Sequence, residues 1–81
     1  MTRTISAIAH EIRNDWKKPY FGAVPYLRAM MSLGDISDHY GLDSGENVVL
    51  RFLSNATTWR GDVARRVKAE LKGLCKEQSN G

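Results

Sequence analysis

Apolar positions recur along this chain at helical rather than strand spacing. Ile5, Ile8, Ala9, Ile12 and Trp16 fall at i, i+3, i+4, i+7 and i+11, which predicts a helix over about Thr4 to Lys17 with His10, Arg13 and Lys17 on its solvated face. Pro19 ends it, because the residue before a proline is pushed out of the helical region. Pro25 suits a first helical turn, so a second helix is predicted over about Ala23 to Ser32, with Tyr26, Leu27, Met30 and Leu33 on or near its inner face. Gly34 to Leu42 (GDISDHYGL) carries turn residues and reads as a loop, with Tyr40 and Leu42 tacking it onto the core. Asp43 followed by Glu46 forms a capping-box pattern that starts a third helix near Ser44, and Val48, Val49, Phe52, Leu53 and Ala56 make its broad apolar face. Asn55, Thr57 and Thr58 favour a break, with Thr57 or Thr58 as the next cap. A last helix then runs from about Thr58 to Gly73, with Val63, Val67, Leu71 and Leu74 on its stripe.

These segments predict an all-α domain, a compact bundle of about four short helices with one longer polar loop. The expected core unites Ile8, Ile12, Trp16, Leu27, Val49, Phe52, Leu53, Val63, Val67 and Leu71. At 81 residues the chain has room for one domain and one core, ordered over about 4–74 with a frayed tail at 75–81. Its 42% hydrophobic and 26% charged residues match globular averages. A net charge of +3 permits steering toward an acidic partner but falls short of a dedicated nucleic-acid binder. The lone Cys75 excludes an intramolecular disulfide, which fits a reducing, cytoplasmic location. No run approaches the roughly 18 apolar residues of a membrane span.

Three stretches invite a chemical reading. From Asp35, twelve residues can be laid against a calcium loop, with Asp35, Ser37, His39, Asp43 and Glu46 at ligand positions. Tyr40, however, stands where the sharp turn needs glycine, and His39 is a poor ligand for a hard cation, so no metal site is assigned. His39 beside Asp38, with Ser37 or Ser44 nearby, lacks any nucleophile motif, and no catalytic residue or cofactor is assigned. On the last helix Arg65, Lys68, Lys72 and Lys76 line up on one face, a stripe that serves either as a solvated surface or as a phosphate contact. Tyr20, Phe21 and Tyr26, with Trp59 at the junction of the last two helices, suit either core packing or a protein interface. Gly61 suggests close backbone approach by another element or by a partner.

The blocks PYFGAVPYLRAM (Pro19 to Met30) and FLSNATTWRGDVARRVKAEL (Phe52 to Leu71), with the loop ending in YGLDSG and the NATTWRG turn, resemble short proteins encoded by bacteriophages and integrated mobile elements of bacteria. The resemblance spans about Ile5 to Lys72. It implies a phage or mobile-element origin and a cytoplasmic site in a bacterial host, and it carries over no catalytic or binding residue. The functional expectation is a small non-enzymatic accessory protein, monomeric or a small homo-oligomer, that binds a host or phage protein through Tyr20, Phe21, Tyr26 and Trp59. The alternative is a DNA- or RNA-binding regulator using Arg65, Lys68, Lys72 and Lys76.

Overall fold

Thr4 opens the first helix, α1 (Ile5–Asp15), by accepting the Ala7 N–H on its hydroxyl at 3.1 Å. A computed structural model describes residues 3–80 of the chain, with side chains through Lys76. The first two N–H groups of α1, those of Ile5 and Ser6, have no partner within the helix and donate to the carbonyls of Gly34 and Leu33 at 2.8 and 2.9 Å. The chain leaves α1 at Trp16, whose backbone turns extended ahead of Pro19. Pro25 then sits in the first turn of α2 (Val24–Met30).

The segment expected as a loop closes into a two-stranded antiparallel ribbon, β1 (His39–Tyr40) on β2 (Asp43–Ser44), with His39 opposite Ser44 and Tyr40 opposite Asp43. The protein is therefore mostly helical rather than purely all-α. Gly41, at φ +64°, holds the first central position of the two-residue connection, where such a hairpin needs left-handed backbone. This geometry points Tyr40 and Leu42 outward, Leu42 fully, so they do not tack the segment onto the core as expected.

The ribbon leads straight into α3 (Gly45–Ser54), and the capping residue is Ser44 rather than Asp43. Its hydroxyl accepts the Asn47 N–H at 3.1 Å, while Asp43 is held in β2 by its pairing with Tyr40. Gly45 is buried at this joint and donates its N–H to the Asp38 carbonyl; a Cβ there would stand 2.6 Å from the Ile36 carbonyl oxygen.

The last helix, α4 (Asp62–Asn80), starts later and ends later than its periodicity predicts. Thr57 and Thr58 lie in an exposed turn, and Gly61 precedes the helix at φ +115° with open space around its Cβ position. Gly61 thus serves conformation rather than close approach. Gly73 does not stop the helix: its propensity cost of about 1 kcal/mol is outweighed by burial of Leu74 and Cys75, since one buried leucine contributes about 1.5–3 kcal/mol. Cys75 therefore belongs to the ordered core instead of a frayed tail; Gly81, the end of that expected tail, lies outside the described residues.

Helices adjacent in sequence pack together, α1 on α2, α2 on α3 and α3 on α4, and α1 closes against α4. The core between them contains Ile8, Ile12, Trp16, Leu27, Val49, Phe52, Val67 and Leu71 as expected, with Leu53 and Val63 only partly buried at its margin. Ion pairs clamp the α1–α4 contact. Glu11 of α1 pairs with Arg66 of α4 and, at 2.7 Å, with Arg3, whose guanidinium also makes a two-pronged contact with Glu70 at 2.6 and 3.1 Å.

Candidate functional site

Six of the seven aromatic rings have fates that decide what surface remains. Trp16 and Trp59 stack at 5.8 Å with planes 14° apart, and Phe52 meets both edge-on at 6.3 and 6.4 Å. Trp59 is only 2% exposed, and its indole N–H donates to the Asp15 carboxylate at 2.8 Å. The structure thus corrects the expectation that Trp59 joins a protein-contact patch: it is a core ring whose polar edge is satisfied internally. Tyr26 is half-buried against the core. Tyr20 and Phe21 stay outside, 45% and 79% exposed, with their ring centroids 4.8 Å apart. Gly22 permits this placement, because a Cβ on it would lie 2.6 Å from the Tyr20 ring.

Of the basic stripe, Lys68 is occupied. Its ammonium donates to the carbonyls of Ala56 and Trp59, both at 2.7 Å, and lies 5.8 Å from the Trp59 ring centroid, so it seals the α3–α4 connection. Burial, and after it the charges of Lys72 and Arg60, push its pKa down. Arg65 is exposed beside Asp62 at 3.7 Å, and Lys72 and Lys76 are exposed. The four expected phosphate contacts are therefore three surface cations and one structural lysine. A shallow depression of about 240 Å³ near them includes Arg60, Arg65 and Lys68 on its walls.

The acidic loop is committed to its own backbone. Asp38 accepts the N–H groups of Gly34 and Asp35 at 3.0 and 2.9 Å, and Asp35 accepts that of Ser37 at 3.1 Å. Asp38 therefore does not orient His39, and Ser44 is engaged as a cap. Among the described residues, no three His, Cys, Asp or Glu side chains gather to hold a metal. Cys75 is buried, and burial followed by the Glu46 charge raises its thiol pKa, the reverse of what a reactive thiol requires.

A cleft of about 220 Å³ lies between the end of α1 and α2, lined by Arg13, Pro19, Val24, Leu27, Arg28 and Met31. Pro19, on its wall, directly precedes the exposed Tyr20–Phe21 pair. The charged members of this neighbourhood, Arg13, Lys17, Lys18 and Arg28, are not among the residues singled out from the sequence as a site. A signal for them exists: from Trp16 to Gly34 the chain has three cations and no Asp or Glu. No helix among the described residues is long and apolar enough to cross a membrane. The chain matches no protein-family model, no curated protein and no solved structure.

Proposed function

We propose that this chain is a small non-enzymatic accessory protein that acts by binding another protein through the surface built on Tyr20 and Phe21. The observation that carries this reading is the exposure of two adjacent rings, in mutual contact, on a protein that sequesters Trp16, Phe52 and Trp59. Large rigid aromatics are enriched where binding energy concentrates, and leaving such a pair in water has no benefit for folding. The resemblance to phage and mobile-element proteins supports a cytoplasmic bacterial or phage protein as partner. Nucleic-acid binding along α4 is less well supported, since Lys68 is tied to two carbonyls and Arg66 to Glu11.

The two readings separate by mutation. Replacing Tyr20 and Phe21 with alanine is expected to abolish capture of a specific protein partner, with the melting temperature unchanged. Replacing Arg65, Lys72 and Lys76 with glutamine is expected to leave that capture intact, with or without nuclease. The reverse pattern, capture lost in the glutamine variant or on nuclease treatment and kept in the alanine variant, would overturn the proposal in favour of nucleic acid.

A further inference from the structure

The cleft beside Tyr20 and Phe21 combines an apolar floor with two cationic rims. Leu27 is buried beneath it, Pro19, Val24 and Met31 are half-buried along it, and Arg13 and Arg28 are exposed at its edges. Arg13 reaches across α1 and α2 to the Met31 sulfur at 3.6 Å. Neither guanidinium has a carboxylate partner among the described residues. The acids nearest Arg13 on its own helix are engaged elsewhere, Glu11 with Arg3 and Arg66 and Asp15 with the Trp59 indole. Lys17 and Lys18 add two exposed cations beside Pro19, and the stretch from Trp16 to Gly34 has no acid to offset them.

Resting on the protein-contact reading above, we propose that this cleft seats an apolar side chain of an acidic segment of the partner, whose flanking carboxylates pair with Arg13 and Arg28. Size and charge select this occupant. At about 220 Å³ the cleft is smaller than the roughly 300 Å³ at which pockets for small molecules begin, yet it holds one or two side chains. A second copy of the chain is disfavoured, because a two-fold contact would bring Arg13, Lys17, Lys18 and Arg28 against the same charges of its mate. A planar guanidinium on each rim suits two-pronged capture of carboxylates on either side of an inserted leucine or phenylalanine.

The test is selection from a random twelve-residue peptide library on the immobilised full-length chain, followed by affinity measurements of the selected peptides. Four proteins are compared: wild type, Arg13→Gln/Arg28→Gln, Tyr20→Ala/Phe21→Ala, and Arg65→Gln/Lys72→Gln as a control, each checked for an unchanged melt. The expected pool is enriched in Asp and Glu beside Leu, Ile or Phe. Its peptides bind the Arg13/Arg28 variant at least tenfold more weakly, and the control variant as tightly as wild type. A pool without acid enrichment, sensitive to Tyr20 and Phe21 but not to Arg13 and Arg28, would overturn this inference and leave the protein-contact reading standing. A pool indifferent to both variants, or no enrichment at all, would overturn both. Binding of a 20-nucleotide single strand or of anionic lipid vesicles that exceeds peptide binding and disappears in the Arg13/Arg28 variant would reassign the cleft to phosphate and overturn the inference.

Discussion

Trp59 donates its indole N–H to the Asp15 carboxylate at 2.8 Å, joining the turn before α4 to the last residue of α1. The same indole stacks on Trp16, the next residue after Asp15, so one side chain secures the end of α1 through both its face and its edge. Removing the acceptor leaves a buried donor without a partner. Asp15→Ala is expected to destabilise by about 1–3 kcal/mol, read as a lower urea midpoint at unchanged slope. An unchanged midpoint would show that water satisfies the indole.

Phe52 lies at the centre of the core with no exposure, whereas its neighbour Leu53 sits at the margin. Phe52→Ala should cost about 3–5 kcal/mol, most of the roughly 5 kcal/mol expected for a domain of this size. Leu53→Ala should cost clearly less. Urea denaturation of the two variants gives the comparison, and equal losses would contradict this placement of the core.

The entry to α3 distinguishes two adjacent residues. Ser44→Ala is expected to cost about 0.5–2 kcal/mol through the lost cap, while Asp43→Ala stays within about 0.5 kcal/mol of wild type. Thermal melts of both decide it; the opposite ranking would restore Asp43 as the cap. Added calcium should raise the melting temperature of neither variant nor of wild type, because Asp35 and Asp38 already hold backbone N–H groups.

Most of the helical framework was legible because periodicity reports which residues face a core. The stripe Ile5, Ile8, Ile12 and Trp16 and the face around Phe52 are both buried as read. What escaped depends on backbone geometry or on distant partners. The ribbon rests on four residues and a left-handed Gly41, too short for any alternation to show. Gly73 reads as a stop only because local propensity says nothing of the burial that Leu74 and Cys75 gain. At the candidate site, Tyr20 and Phe21 are recognisable as aromatic, but core and surface rings share a composition, so nothing in the sequence separates Trp59 from them. Lys68 was likewise indistinguishable from its solvated neighbours, because its carbonyl partners lie nine and twelve residues back along the chain.

The charge clamp between α1 and α4 predicts a specific acid response. Hydrogen bonding to Arg66 first, and then to Arg3, lowers the Glu11 pKa below its ordinary value of 4.5. The unfolded chain therefore takes up this proton at higher pH than the native one does. The stabilisation is fully present above about pH 4.5 and is lost as pH falls through the lowered native value, with a slope of at most about 1.4 kcal/mol per pH unit from this group. Glu11→Gln should be less stable than wild type at pH 7 and should converge with it in acid. Urea midpoints at a series of pH values from 7 down to 2 check this, and parallel curves would contradict it.

The central claim, that Tyr20 and Phe21 form a protein-contact surface, is tested most directly by photo-crosslinking in bacterial cells that express the chain with benzoylphenylalanine in place of Phe21. Arg51, exposed on α3, provides the control position for the same crosslinker. The account predicts a discrete, nuclease-resistant protein adduct from position 21 that is absent from position 51. No adduct at position 21, an equal adduct at position 51, or an adduct that nuclease removes would contradict it.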